Sequence, residues 1–336
     1  MTNHQITLAA RPHGLPKPSD FKRVETPIPE PGEGQFLVQA HYLSVDPYMR
    51  GRMSEAKSYL PPIEIGAVMG GESVGKIIRS KHPKYAEGSY VSGMFGWQQY
   101  ALSDGSGGVR RIDPDQAPIS TALHCLGMPG MTAYFGLLQV CHAQPGNTIF
   151  VTGGAGAVGS VVGQIAKIKD CRVIGSAGSD DKIAYMVEQL GYDGAFNYKT
   201  TESPSSAIRQ WCPNGIDGFF DNTGGPVSDA AFLHLNVHAH VAICGQIAIY
   251  NATEVPQGPR LLGQLIVKRA TVQGFLVMDF AAQFRDAIAD LAGWYQAGKL
   301  KCEERITDGI ENAPTAFIEM LQGANTGKQL VRLATT

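Results

Sequence analysis

Apolar positions change their spacing part-way along the chain, and the change predicts where one kind of fold gives way to another. Through residues 1 to about 120 they come in short runs cut by proline and glycine. Gln35–Tyr42, Glu72–Ile78 and Ser89–Phe95 read as strands, because each is short, mostly apolar and bounded by turn formers. Residues 25–34, ETPIPEPGEG, hold three prolines and cannot form a helix interior. A mostly β domain, such as a small barrel, is expected here.

From about 121 to 300 strand-like runs alternate with helical spacing. Thr148–Thr152 is a strand, and Val158–Lys169 places Val158, Val161, Val162, Ile165, Ala166 and Ile168 on one helical face. Arg172–Ser176 follows as a strand, then a helix over Asp180–Leu190 with Ser179 as its N-cap. Ala195–Tyr198, Gly218–Asn222, Ala239–Cys244 and Val272–Val277 are further strands, with a helix near Pro204–Trp211. Strand–helix–strand repetition predicts an α/β fold, a parallel sheet wound with helices on both faces. The last stretch, about 301–336, carries Cys302–Ile306, a helix at Asn312–Leu321 and a strand at Gln329–Leu333. It is too short for its own domain and is expected to pack on the first domain or the sheet edge. The expected division is therefore 1–120, 121–300 and 301–336.

Composition narrows the function classes. With 336 residues, 43% hydrophobic and 17% charged, the chain can bury a real core. A formal charge of −2 gives no electrostatic case for nucleic acid or an anionic membrane. No apolar stretch is long enough to span a bilayer, and the N-terminus lacks a signal-peptide layout, so a cytoplasmic protein is expected. The six cysteines, Cys125, Cys141, Cys171, Cys212, Cys244 and Cys302, include no C-x-x-C pair. They are expected to be reduced and mostly buried. His124, His234, His238 and His240 have no metal-ligand context and are expected to be structural or solvated.

The chemistry concentrates at Gly154-Ala155-Gly156-Ala157-Val158-Gly159, a G-x-G-x-x-G turn between a strand and a helix. In such a turn the first glycine makes the bend, the second lets a pyrophosphate approach the backbone, and the third lets the helix pack on the strand. The helix N-terminus offers N–H groups and partial positive charge to the phosphates. The competing reading is a glycine-rich turn without ligand. Cofactor choice is read after the second strand, where Gly178-Ser179 is small and neutral and Lys182 follows on the next helix. Lys182 either meets a 2′-phosphate, selecting NADPH, or is a solvated lysine, with Asp180 or Asp181 holding an NAD ribose.

Several blocks in order carry a wider resemblance: VDPYMRGRM at 45–53, GAGAVGSVVGQIAK at 154–167, GSDDKIAYM at 178–186, FNYK at 196–199, FDNTGG at 220–225, ICGQIAIYN at 243–251 and GANTGKQLV at 323–331. Over essentially its whole length the chain resembles the medium-chain dehydrogenase/reductase superfamily. It is most similar to the zinc-free branch of prostaglandin reductases, leukotriene hydroxydehydrogenases, alkenal double-bond reductases and curcumin reductases. The resemblance implies a GroES-like β-barrel domain, a Rossmann doubly wound parallel sheet, and a tail returning to the first domain. Where zinc-dependent members carry a Cys and a His, this chain has Ser44-Val45-Asp46 and Gly70-Gly71-Glu72, so no metal is expected. Thr152-Gly153-Gly154 departs modestly from the family's pattern before the turn.

The resemblance further implies NADPH/NADP+ as cofactor, held by Gly154, Gly156, Ala157, Val158 and Gly159 at the pyrophosphate and by Lys182 and Tyr198 at the 2′-phosphate. It places Asn222, the run from Cys244 and Gly245 to Tyr250, and Phe275, Leu276 and Val277 along the nicotinamide half, with Asn325 a polar contact from the tail. On pattern alone, Tyr198 is equally a strand-end tyrosine, Asn222 part of an Asx turn, Phe275–Val277 a core strand, and Asp46–Arg50 a structural ion pair. Without zinc, the implied reaction is hydride addition to the conjugated double bond of an α,β-unsaturated ketone or aldehyde, with Tyr250 and Tyr48 as candidate donors to the carbonyl oxygen. A quinone reductase and a non-catalytic crystallin-like NADPH binder are the alternatives. Thr271–Val277 resembles the family's edge strand that pairs across a two-fold axis, implying a homodimer.

Overall fold

The computed structural model of the protein describes residues 2–334. The chain opens with β1 (Thr2–Leu8), β2 (Phe21–Pro27) and β3 (Phe36–Ser44), a short helix α1 (Tyr48–Arg52), then β4 (Ser73–Ser80), β5 (Tyr90–Gly93), β6 (Tyr100–Ser103) and β7 (Arg110–Ile112). There follow α2 (Met128–Phe135), β8 (Thr148–Thr152), α3 (Gly159–Ile168), β9 (Arg172–Ala177), α4 (Asp180–Glu188), β10 (Gly194–Asn197), α5 (Pro204–Trp211), β11 (Ile216–Asp221), α6 (Gly225–Phe232), β12 (Leu235–Ile243), α7 (Leu262–Lys268), β13 (Thr271–Gly274) and α8 (Phe284–Gln296). The tail adds β14 (Glu304–Asp308), α9 (Ala313–Leu321) and β15 (Lys328–Arg332). Two compact units result: Met1–Leu123 with Glu304–Thr336, and His124–Glu303. No helix among the described residues is long and apolar enough to cross a membrane.

In the first unit β3 is the central strand. It pairs with β4 along one edge, and its other edge is shared by β6 at Phe36–Gln39 and β15 at Tyr42–Ser44. The full sheet runs β14-β15-β3-β4-β5-β7 and is antiparallel except for the β14–β15 pair. The first two strands form a separate hairpin, pinned where Phe21 stacks on buried Trp97 at 5.8 Å between ring centroids.

The second unit is the expected doubly wound fold. Its six strands are all parallel, in the order β10-β9-β8-β11-β12-β13. Side chains alternate across this sheet, so Ile149 and Val151 enter the core with α2, α3 and α8, while Phe150 and Ile174 enter the core with α5 and α6. Both faces are covered, which is why β8, TIFVT, is buried at every position.

Three expectations need correction. The strand expected to continue to Val277 ends at Gly274, and Val277–Gln283 is a 3₁₀ helix. The Asp279 carboxylate accepts the Leu276 N–H at 3.0 Å and turns the chain out of the sheet. Ser179 is the N-cap residue of α4, but its side chain makes no capping bond. The cysteines are not all reduced: Cys125 and Cys302 form a disulfide with Cα atoms 5.9 Å apart, closing a loop of 177 residues. A cross-link over that length restricts the unfolded chain by about 5 kcal/mol in the loop-entropy account.

One buried carboxylate holds the C-terminal strand ends together. Asp221 closes β11 and is fully buried. Its Oδ1 accepts from Thr152 Oγ1 at 2.7 Å and from the Thr223 and Gly224 N–H groups at 3.0 Å each; its Oδ2 accepts from Ser228 Oγ at 2.6 Å and Gln246 Nε2 at 3.2 Å. Its main-chain carbonyl accepts from the N–H groups of Cys244 and Gly245. Five side-chain acceptances replace the water that a buried carboxylate loses. Asp221→Ala strands those donors and is expected to lower stability by roughly 3 kcal/mol or more. The urea unfolding midpoint checks this, and a loss well below about 1 kcal/mol would reject the hub.

Candidate active site

The turn begins where β8 leaves the sheet. Gly153 has φ +61°, a left-handed conformation that a side chain would strain. A Cβ built on Gly156 would meet the Gly153 carbonyl oxygen at 3.2 Å, and one on Gly159 would meet the Gly154 Cα at 2.8 Å. The strand-to-helix bend therefore needs hydrogen at Gly159 and is tight at Gly156. Among the described residues no backbone carbonyl accepts from the N–H groups of Ala157 or Val158, which stand at the start of α3. Free donors at a helix N-terminus form an anion cradle, which fits a pyrophosphate.

Tyr192 supports the turn from below, and sequence reading missed it. It is buried, and its hydroxyl donates to the Gly159 carbonyl at 2.8 Å. Cβ atoms on Gly163 of α3 or Gly175 of β9 would run into its ring, so these glycines make room for the tyrosine. The signal was present as two glycines inside regular elements, which mark close approach.

At the end of β9, Gly178 is flanked by Tyr198 and Lys199. A Cβ on Gly178 would lie 2.9 Å from the Tyr198 hydroxyl and 3.2 Å from Lys199 Cε. Tyr198 is 42% exposed, which leaves its ring edge open to a ligand. Lys182 lies in the first turn of α4, partly buried. Asp180 is engaged by the Asn197 side-chain amide at 2.8 Å. One of the two candidate ribose carboxylates is thus already bonded to Asn197, while Tyr198 and Lys199 stand against the neutral Gly178 corner.

Next to Asp221, the Asn222 side chain donates to the Thr152 carbonyl at 2.8 Å, locking β8 to β11. The Asx turn belongs to Asp221 rather than Asn222, since Asp221 Oδ1 takes the Thr223 N–H. Cys244 and Gly245 follow β12, and burial pushes the Cys244 thiol up to about 12. The Tyr250 hydroxyl accepts the Gln246 N–H at 3.2 Å, which leaves its own proton free to donate. Burial raises the Tyr250 phenol, so it stays neutral at working pH. Phe275 is buried against the ring of Phe220, a core role, while Leu276 is 40% exposed and Val277 half-buried.

In the first unit Tyr48 opens α1, and burial, with Asp46 and Glu72 nearby, raises its phenol. Asp46 is not paired with Arg50. Its carboxylate takes Lys328 Nζ at 2.6 Å and the Ser44 hydroxyl, and Lys328, buried, also donates to the Val45 carbonyl at 2.8 Å. Arg50 donates to the Gly14 carbonyl at 3.0 Å. In the tail Asn325 donates to the Gly327 carbonyl at 2.8 Å. These residues do not fit a zinc ion. Asp46 is neutralised by Lys328, and at Gly71, which offers no ligating side chain, even a Cβ would crowd Met49 Cε and the Trp97 indole at 3.0 Å.

Comparison with known proteins places this arrangement. Residues 4–110 match the N-terminal domain of oxidoreductases, and residues 157–293 match the zinc-binding dehydrogenase model. The NADPH-dependent curcumin reductase of Escherichia coli is 42% identical over 99% of this chain and 97% of its own length. Prostaglandin reductase 1 of Mus musculus is 42% identical over 97% and 98%. The crystal structure of CurA from Vibrio vulnificus in complex with NADPH superposes with a TM-score of 0.94 at 42% identity, covering 99% of this chain and all of that one. The chain belongs to the zinc-independent medium-chain dehydrogenase/reductases. In this chain a fixed ammonium, that of Lys328, stands beside the Asp46 carboxylate, which disfavours a divalent cation there.

The pair's neighbour Glu72 carries a pH signature. Burial pushes its carboxyl up to about 7, Arg110 opposing, Asp46 adding to the rise and Lys328 opposing. The folded reductase therefore holds this proton more tightly than the unfolded chain. The resulting stability is complete below about 4.5 and is lost as pH rises through about 7. Glu72→Gln is expected to flatten that slope, gaining up to about 3 kcal/mol relative to the parent between pH 4.5 and 8. Urea unfolding at several pH values checks it; parallel curves would show that Glu72 does not titrate in this window.

Proposed function

We propose that the protein is an NADPH-dependent reductase of the carbon–carbon double bond of α,β-unsaturated ketones and aldehydes, acting as a cytoplasmic homodimer. The reductases it is similar to carry prostaglandin and curcumin in their names, and both it and they are matched nearly end to end. The observation that carries the reading is the Tyr250 hydroxyl, neutral and with its oxygen satisfied by Gln246 N–H.

The glycine turn binds the pyrophosphate through Ala157 and Val158 N–H groups, with Gly154, Gly156 and Gly159 allowing close approach. Lys182 and Tyr198 take the 2′-phosphate, and Lys199 adds a second cation at that corner. Asn222, Cys244, Gly245 and Leu276 border the nicotinamide half, with Asn325 contributing from the tail. When bound, NADPH supplies hydride to the β-carbon of the conjugated alkene. Negative charge then gathers on the substrate carbonyl oxygen, where a neutral phenol donates a hydrogen bond. Tyr250 and Tyr48 are the two phenols proposed for this role.

Tyr250→Phe should lower kcat/KM for an enone on the order of 10- to 100-fold while leaving the NADPH dissociation constant unchanged. Steady-state kinetics with fluorescence titration of NADPH checks it, and unchanged enone kinetics would remove Tyr250 from the mechanism.

The homodimer is supported by β13, the last strand of the parallel sheet, which has one unpaired edge and is exposed along its length. Next to it in sequence, Leu262 and Ile266 of α7 are 78% and 80% exposed. Light scattering at micromolar concentration should give twice the chain mass, and Val272→Lys should halve it. A monomeric parent would reject the dimer.

A further inference from the structure

The disulfide sits where the second unit begins and ends. Cys125 is the second residue of that unit and Cys302 the second from its close, so the bridge joins the segments by which the chain enters and leaves it. The two cysteines are unequal. Cys125 is fully buried, whereas Cys302 is partly exposed. A ring nitrogen of His124 and both sulfurs lie within 4.8 Å of one another.

Each half of the bridge is one residue from a contact to the dinucleotide turn or its helix. His124 Nε2 lies 3.2 Å from the carbonyl oxygen of Ala157, inside the turn. On the other side, Lys301 N–H donates to Gln164 Oε1 at 2.7 Å, and Gln164 Nε2 donates to the Lys301 carbonyl at 3.0 Å and to the Ser160 carbonyl at 2.9 Å. Gln164 is buried on α3. The other four cysteines are poor exchange partners. Burial pushes the Cys141, Cys212 and Cys244 thiols up to about 12 and the Cys171 thiol up to about 11.

We propose that Cys125 and Cys302 are a thiol-exchange site for small thiols and disulfides of the glutathione type, and that its redox state is passed to the dinucleotide turn through His124–Ala157 and Lys301–Gln164. In reduction, an external thiolate attacks Sγ of Cys302, the partly exposed residue of the two. The Cys125–Cys302 bond breaks, its electron pair leaves on Cys125 Sγ, and a proton follows, with His124 placed to pass it. A second external thiol attacks the outer sulfur of the mixed disulfide, releasing the oxidised small disulfide and the Cys302 thiol. The sum is one protein disulfide and two small thiols converted to one protein dithiol and one small disulfide. Oxidation is the same sequence reversed, with the small disulfide as oxidant. Breaking the bridge frees residues 124–125 and 301–302 to shift, and the hydrogen bonds to Ala157 and Gln164 carry that shift to the N–H groups that face the pyrophosphate. This second part rests on the cofactor reading given above.

The test uses the full chain, equilibrated in buffers of varied glutathione to oxidised glutathione ratio, acid-quenched, alkylated and mapped by mass spectrometry. Cys125 and Cys302 should titrate together in one two-electron transition while Cys141, Cys171, Cys212 and Cys244 stay reduced throughout. Cys125→Ser should trap a glutathione adduct on Cys302, and Cys302→Ser should trap none on Cys125. NADPH dissociation constants of the oxidised and reduced parent should differ at least threefold, with the Cys125→Ser/Cys302→Ser double variant matching the reduced form. A bridge that never forms, or that excess glutathione cannot open in the folded protein, overturns the exchange site. So does a reduced protein that takes up one zinc ion per chain in a manner blocked by alkylating Cys302. Equal NADPH affinities overturn the coupling. Absence of NADPH binding in either state counts against the cofactor reading, and the thiol titration still decides the exchange site.

Discussion

A single buried carboxylate organises the nucleotide end of the parallel sheet. Asp221 accepts from β8 through Thr152, from the start of α6 through Gly224 and Ser228, and from the loop after β12 through Gln246. A charge without water must have donors converging on it, and here those donors come from three separate pieces of chain. The turn after β8, the corner at Asn222 and the loop that bears Tyr250 are therefore positioned relative to one another by one group. Asn222 adds a second tie between β8 and β11 through the Thr152 carbonyl. The tyrosine is set in turn by its bond from the Gln246 N–H, so the chemistry is two hydrogen bonds away from the hub.

The first unit solves a related problem in the opposite way. Two of its carboxylates face cations: Lys328 answers Asp46, and Arg110 lies near Glu72. Such a pair adds little net stability but excludes alternatives. A divalent ion beside a fixed ammonium is disfavoured, and the crowded Gly71 removes the second ligand. The metal chemistry of zinc-dependent dehydrogenases is closed off by packing as well as by the absence of thiolate and imidazole.

Much of the second unit was legible in the sequence. The bounds of β8 and α5 match the apolar pattern residue for residue, and α3 and β9 lie within a residue of it. Buried parallel strands are nearly all apolar and their helices are amphipathic, so periodicity reports them directly. The same reasoning missed α2, α6, α7 and α8. Helices α2 and α6 carry glycine and proline in their first turns, a composition that reads as loop. In α7 the apolar residues are exposed rather than facing a core of this chain. Strands β1, β2, β6 and β7 escaped because short antiparallel strands owe their existence to partners far away in sequence.

What the sequence determined by itself was local: a glycine spacing that admits phosphate, a neutral corner followed by Lys182, and no Cys or His where zinc would need them. These depend on residue type at fixed short separations, which chain order preserves. The tertiary structure alone decided what depends on distant residues meeting. It buried Asp221 among donors from 69 positions upstream to 25 downstream, and set Lys328 against Asp46 across 282. It turned Tyr192 under the turn and brought Cys125 to Cys302. Only Tyr192 left a local trace, in the glycines that make room for its ring; the other pairings have none, because each is fixed by where the folded backbone leaves a charge or a sulfur without water.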